Sequence, residues 1–314
     1  MDKVTIFGAG HVGATTAFYL ALSATLEIAL VDVADGLAQG LAMDIEQAMP
    51  YTGSGSRLQG GTDPGLAQGS DLVVITAGFP RTPGMSRLDL TARNAPVVEG
   101  IARAVAACAG DAVLMNVTNP IDEMTSLVWE ASGFPPRRVL GMAGVLDTSR
   151  FMYFLDRLAS VPARDVQAMV IGTHGDEMIP LRETSTVGGE PLSRAVEADL
   201  LAEIVERTQN GGAEIVGFLK TGSAYFAPAV AVGTMALAIL GDTGRILPVS
   251  AYLDGEYGME GLFVGVPARL GRAGVAEVVQ IEIAKQELEE LQQTASGIRQ
   301  RVDEARKAGS NESD

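Results

Sequence analysis

The segment Gly8-Ala9-Gly10-His11-Val12-Gly13 follows the apolar run Val4–Phe7 and opens a stretch of helical character, Val12–Ser23. No other feature constrains the chain as tightly. In a strand–turn–helix unit the first glycine permits a tight turn, the second lets backbone approach a pyrophosphate, and the third lets helix close on strand. The free N–H groups and positive dipole end of the helix then face the phosphates. The glycine pattern alone is weak, and glycines serving only close packing are the alternative. Here, however, a second apolar run, Ile28–Val33, carries Asp32 nineteen residues after Gly13, where a carboxylate can accept from ribose hydroxyls. The expected ligand is a dinucleotide, touched by Gly8, Ala9, Gly10, His11, Val12, Gly13 and Asp32. His11 is assigned no chemistry of its own. Asp32 and Asp35 would repel a 2′-phosphate, and no Arg or Lys lies between Val31 and Pro50, so NAD is expected rather than NADP.

The rest of the first half fits that unit. Val4–Phe7, Ile28–Val33, Leu72–Thr76 and Val113–Val117 are continuous apolar runs, the pattern of strands buried on both faces of a parallel sheet. Between them Val12–Ser23, Gly36–Met49 and Leu88–Ala109 can each form a helix. The order β-α-β-α-β-α-β predicts an α/β fold with a doubly wound parallel Rossmann sheet. After Val117 the texture becomes that of a mixed α+β domain. A short strand is expected near Arg138–Met142, a helix from about Asp147 to Ala159, and a strand over Val166–Ile171. Beyond Pro180 the sequence predicts a hairpin at Gly188-Gly189, a helical stretch from about Glu197 through the apolar segment, and strands around Gly258–Val266 and Ala276–Ile283. Ala284–Ala308 carries Leu288, Leu291, Ile298 and Val302 at helical spacing and reads as a closing amphipathic helix. At 314 residues two domains are expected, 1–142 for the cofactor and 143–314 for the substrate, meeting at a packed junction.

Composition removes several classes of function. The net charge of −16 would repel nucleic-acid phosphates and anionic lipid, so no nucleic-acid or membrane partner is expected. The single cysteine, Cys108, excludes an internal disulfide framework and fits a reducing cytoplasm. Met1–Ala24 mimics a secretory leader, but Gly8, Gly10 and Gly13 interrupt its apolar middle. Ala224–Leu240 falls short of a bilayer span and holds Pro228 and Gly233, which favours a buried helix.

The chemistry-bearing residues lie elsewhere. His174, in Gly172-Thr173-His174-Gly175-Asp176, follows a predicted strand and reads as an exposed, positioned imidazole. Asp147 and Arg150 stand three apart on one helical face, where a plain ion pair is the alternative. Hydride transfer between an alcohol and NAD needs a base for the hydroxyl proton, which an imidazole oriented by a carboxylate supplies. An Arg fork can hold a substrate carboxylate in two parallel bonds. The segment Ala77–Arg87, with two Pro, two Gly and two Arg after a strand, suits a mobile cationic lid, although a solvated loop is the alternative.

In order along the chain, GAGHVG, VD, ITAGFPRTPGMSRLDL, NVTNPID, GVLDTSRF and GTHGDEM resemble the lactate/malate dehydrogenase family, within it the malate dehydrogenases of lactate-dehydrogenase-like type. The resemblance covers essentially the whole chain. It implies that His174 is the proton acceptor, Asp147 its carboxylate partner and Arg150 the grip on the substrate's C1 carboxylate. It further implies that Arg87 closes on the reacting oxygen and that Asn119 touches substrate and nicotinamide. Val117 and Thr118 would supply contacts near the nicotinamide, and Asn94 a cofactor contact. Arg81 matches the position where malate enzymes carry Arg and lactate enzymes Gln. A buried charge without a partner costs roughly 3–5 kcal/mol. A neutral residue at 81 would therefore disfavour a second carboxylate, while Arg81 closing on a methyl group would itself be left unpaired.

The expected substrate is thus the small dicarboxylate pair malate and oxaloacetate, with lactate or another 2-hydroxyacid as the alternative. Homodimers or homotetramers are implied, with Asp44–Pro50 and Phe218–Leu240 as candidate interfaces. NAD-dependent glycosidases share the architecture but use a Cys/His metal site, whereas Cys108 sits in an apolar helical stretch and reads as a packed thiol. A non-catalytic NAD sensor would have no need of His174, Arg150 and Arg87 together. No metal is expected.

Overall fold

A computed structural model describes residues 1–80, 84–175 and 177–310. The first half runs β1 (Lys3–Phe7), α1 (His11–Ser23), β2 (Glu27–Val31), α2 (Leu37–Thr52), β3 (Arg57–Gly61), β4 (Leu72–Ile75), α3 (Arg87–Cys108), β5 (Val113–Asn116), α4 (Ile121–Ser132) and β6 (Val139–Gly141). β1, β2, β4 and β5 are apolar and almost wholly buried, as expected of strands covered on both faces. Val4 of β1 faces Ile28 on one side and Leu72 on the other, all in parallel register. The parallel strands stand in the order β3-β2-β1-β4-β5-β6, so the winding direction reverses between β1 and β4. A crevice at the carboxyl ends of those strands is where such sheets bind ligands.

The second half adds α5 (Gly144–Ala159), β7 (Val166–Gln167), β8 (Val170–Gly172), β9 (Met178–Pro180), β10 (Thr186–Val187), β11 (Glu190–Pro191), α6 (Leu192–Ala195), α7 (Ala198–Leu219) and α8 (Phe226–Leu240). It ends with β12 (Ile246–Asp254), β13 (Glu260–Gly271), β14 (Gly274–Val278) and α9 (Lys285–Ser310). β12 pairs antiparallel with β6 through Ser250 and Gly141, so β12, β13 and β14 extend the parallel sheet to nine strands. β10 and β11 form the expected hairpin across Gly188-Gly189.

Five elements depart from the sequence reading. β3, Arg-Leu-Gln-Gly-Gly, has too little apolar surface to read as a strand, yet it fills the sheet edge; a Cβ on Gly60 would strike the Ala38 carbonyl of α2. α4 was not expected, because every residue from Ile121 to Val128, acids included, is buried and no polar face marks the helical period. β12 is a further strand absent from the sequence reading, and it carries Pro248, which has no N–H to give a sheet ladder. The run Val166–Ile171 divides between β7 and β8, which belong to different small sheets. Similarly, the helical stretch after Glu197 divides into α7 and α8, with positive φ at Lys220 and Gly222 between them.

α8 is buried along most of its length and packs on α1, where Gly233 leaves room for the Tyr19 ring. No helix among the described residues is long and apolar enough to cross a membrane. α9 buries Leu291, Ile298 and Val302, with Leu288 half-buried, and packs on α3, α4 and β13. That docking brings an arginine of the last helix to the edge of the catalytic region.

Candidate active site

The crevice between β1 and β4 is built by the glycine loop. Gly8 has φ +101°, and a Cβ there would meet the Ala77 backbone at 2.6 Å. A Cβ on Gly13 would strike the Gly8 carbonyl oxygen, whereas one on Gly10 would project into open space. α1 starts after Gly10 with no side-chain cap, so its first N–H groups have no side-chain acceptor. Ala9 is buried, Val12 half-buried and His11 exposed, its ring stacked on Tyr225 at 4.9 Å. Asp32 stands just past β2. Its Oδ2 accepts from the Ala9 N–H at 2.7 Å and its Oδ1 from the Ala34 N–H at 2.9 Å, and each oxygen retains capacity for another donor. An open glycine face, an uncapped helix start and a carboxylate one strand away together fit NAD.

The far end of the crevice is tied down by side chains of which two, Thr76 and Asn116, were not singled out from the sequence. Thr76 donates to the carbonyls of Phe7 and Gly8, and Asn116 donates to those of Thr118 and Ile121. Thr118 donates to Ala77 O at 2.7 Å, and the Val117 N–H donates to Ile75 O at 2.8 Å. Asn119 is exposed and joined to Pro120 by a cis peptide. Asn94 lies fully buried: its amide donates to Phe79 O and Asn119 O and accepts from the Phe79 N–H. Its polar atoms are committed to the two loops, so in this structure it holds the cofactor-side backbone in place.

α5 presents Asp147 and Arg150, while β8 delivers His174 through a turn with positive φ at Gly172 and Gly175. His174 Nδ1 lies 2.9 Å from both carboxylate oxygens of Asp147. The carboxylate is 1% exposed and the imidazole 17%. Arg150 Nη1 lies 3.7 Å from Asp147 Oδ1. Burial pushes the Arg150 guanidinium pKa down, and Asp147 partly offsets it. Arg150 Nε is buried with no hydrogen-bond partner, a donor turned away from water without an acceptor.

Ser86 caps α3 in a reciprocal box with Asp89, which places Arg87 at the first helical position. Arg87 Nη1 donates to Glu177 Oε2 at 3.3 Å. Arg81, the expected discriminating residue, lies outside the described residues, as do Thr82 and Pro83 of the expected lid. Cys108 ends α3 half-buried, with Sγ 3.7 Å from Pro64 O, and burial pushes its pKa up.

Four further charged groups adjoin this region. Asp122 and Glu123, both fully buried on α4, lie near Arg301 of α9 and Glu177 of the His174 loop. Arg301 and Glu123 are 178 positions apart, so no local pattern could have joined them.

The doubly wound sheet, its glycine crevice and the imidazole–carboxylate pair define an NAD-dependent oxidoreductase. Family models extend this assignment. The lactate/malate dehydrogenase NAD-binding domain matches residues 2–141, and the lactate/malate dehydrogenase alpha/beta C-terminal domain matches residues 144–308. The chain belongs to the lactate/malate dehydrogenase family. It is 45% identical to a malate dehydrogenase of Salinibacter ruber, covering 96% of both chains. With one from Thermomicrobium roseum it shares 47% identity, covering 96% of this chain and 97% of the relative. The solved Salinibacter ruber malate dehydrogenase superimposes with a TM-score of 0.93 at 42% identity, covering 98% and 99% of the two chains. A Cryptosporidium parvum lactate dehydrogenase complexed with lactic acid and nicotinamide adenine dinucleotide also reaches 0.93, at 36% identity and 97% and 98% coverage. Backbone likeness alone therefore does not separate the two substrates.

Proposed function

We propose that this enzyme interconverts malate and oxaloacetate, with His174 as the proton acceptor and Arg150, Arg87 and Arg81 as the substrate's anionic contacts. The observation that carries this reading is Arg150, a half-buried guanidinium whose buried Nε has no partner, beside the His174–Asp147 pair. Such a donor calls for an anionic acceptor, and a substrate carboxylate meets its fork in two parallel bonds.

NAD, which the Gly8–Gly13 loop and Asp32 would hold, would supply the acceptor for the hydride of malate C2. With Nδ1–H directed at Asp147, His174 keeps the lone pair of Nε2 free to take the C2 hydroxyl proton. Asp147 then stabilises the imidazolium. Arg150 fixes C1, Asn119 contacts the substrate from the cofactor side, and Arg87 stabilises charge on the C2 oxygen. Val117, Thr118 and Asn94 shape the nicotinamide end of the crevice. Arg81 pairs with the C4 carboxylate, which distinguishes malate from lactate. The corresponding experiment follows NADH oxidation with oxaloacetate and with pyruvate, using the wild type and Arg81→Gln. Oxaloacetate should be much the better substrate for the wild type, and Arg81→Gln should lower its kcat/KM steeply while raising relative activity with pyruvate. Unaltered selectivity would remove the malate assignment and leave a 2-hydroxyacid dehydrogenase.

A homodimer or homotetramer is supported by exposed apolar side chains on α1, α2 and α8, of which α2 and α8 each pack against α1. Phe18 and Leu22 of α1, Met43 and Tyr51 of α2, and Phe226 and Val230 of α8 all stand at the surface. Sedimentation equilibrium should give a multiple of the 32.7 kDa chain mass. A cytoplasmic location is supported by the single cysteine.

A further inference from the structure

Glu177 Oε2 accepts from Arg87 Nη1 and from Arg301 Nη2, each at 3.3 Å. Arg301 is itself anchored, because its Nε donates at 2.5 Å to Glu123 Oε1, whose side chain is completely buried. Glu177 is fixed from below by β9, which begins at the next residue, and by the turn in which Met178 N–H donates to Gly175 O. Three elements thus converge on one carboxylate oxygen: the start of α3, the loop carrying His174, and α9. Both contacts are longer than the 2.7–2.9 Å of strong charge-assisted bonds. A carboxylate divided between two guanidinium groups holds each loosely.

We propose that Glu177 is a positioning residue for Arg87: its carboxylate shared with Arg301, it retains the Arg87 guanidinium beside the site until substrate oxygens compete for it. The inference rests on the reading of Arg87 as the group that closes on the reacting oxygen. Displacing Arg87 from Glu177 then opposes ground state and transition state equally, so the effect falls on KM rather than on kcat. Arg301 weakens the hold by sharing the acceptor oxygen. Without that sharing, Arg87 would sit in a tighter pair and substrate would bind less well.

The experiment measures oxaloacetate kinetics for E177Q and R301K, and NAD-dependent oxalate affinity for E177Q in the wild-type and R87Q backgrounds. Partly exposed ion pairs are weak, so E177Q should lower KM about two- to fivefold, with kcat altered less than KM. R301K keeps a cation for Glu123 but loses the fork that reaches both carboxylates, and should raise KM. E177Q should tighten oxalate binding by about the same two- to fivefold factor in the wild-type background and leave it unchanged in R87Q. An unchanged or raised KM for E177Q overturns the proposal, as does a shift that persists in R87Q, because the charge of Glu177 would then act on substrate directly. R87Q alone tests the underlying reading, since a kcat close to wild type would remove Arg87 from the reaction whatever Glu177 does.

Discussion

Both carboxylate oxygens of Asp147 lie 2.9 Å from Nδ1 of His174, although the residues are 27 positions apart and on different elements. A carboxylate can only accept, so this contact selects the tautomer with the proton on Nδ1 and leaves Nε2 as the base. In Asp147→Asn the amide can instead donate to Nδ1, which stabilises the opposite tautomer and removes the counter-charge to the imidazolium. General-base contributions run from about a hundredfold to ten thousandfold, and kcat for malate oxidation should fall by about a hundredfold or more. NADH affinity, measured by fluorescence titration, should stay close to wild type. A kcat within threefold of wild type would exclude Asp147 from orienting the base.

Arg150 offers a test of geometry at constant charge. Lysine retains the cation but not the planar fork, and its single ammonium nitrogen cannot present two parallel N–H donors to a carboxylate. Hydrogen bonds to charged groups are worth about 2 kcal/mol, so Arg150→Lys should lower kcat/KM for oxaloacetate roughly thirtyfold. Steady-state kinetics at saturating NADH read this directly. An effect confined to thermal stability would indicate that Arg150 serves only its ion pair with Asp147.

The glycine loop makes a separate prediction about the cofactor. Because a Cβ on Gly13 would strike the Gly8 carbonyl, Gly13→Ala must push the loop away from α1. Overpacking of this kind costs about 1–3 kcal/mol. The thermal midpoint should drop, and the Kd for NADH should rise about tenfold or more as the backbone leaves its cradle. Wild-type NADH affinity in this variant would mean that the close approach of helix and strand is not what shapes the phosphate site.

The legible parts of this molecule are those written in local pattern. The four buried runs of the cofactor half carry their strand character in every residue, and the glycine spacing with Asp32 marks the crevice between them. His174, Asp147 and Arg150 were visible as residue types with positions, and the fold brings them within reach of one another. α4 was hidden because burial on all sides erases the helical period, and β3 because an edge strand needs little apolar surface. The network from Asp122 to Arg87 was hidden for a different reason. Its members come from α3, α4, α9 and the His174 loop, and an ion pair spanning 178 positions leaves no trace in sequence spacing. Asn94 illustrates a third case: family likeness implies a cofactor contact, and no local pattern shows that its amide also ties Phe79 to Asn119.

Asp122 supplies a prediction that concerns stability and pH. Complete burial, reinforced by the neighbouring Glu123 charge, raises its pKa from 3.8 to about 7, against the opposing effect of donors such as Ser250. Ser250 Oγ donates to Oδ1 at 2.5 Å, while Oδ2 has no partner, an arrangement that suits a neutral carboxyl group. The unfolded chain releases this proton near pH 4 and the folded chain retains it until about pH 7. Stability associated with the neutral acid is therefore fully present below pH 4, declines as pH rises, and is lost above about 7. Asp122→Asn has no proton to lose and keeps an acceptor for Ser250. The stability difference between variant and wild type should therefore grow in the variant's favour from pH 4 to pH 7, by roughly 4 kcal/mol at most, and level off above it. Urea unfolding at pH 5, 6, 7 and 8, at one fixed protein concentration, gives the measurement. A pH-independent difference would show that the Asp122 carboxyl is already ionised throughout this range in the folded protein, and that Arg301, with the Ser250 and Thr173 hydroxyls, outweighs burial at this site.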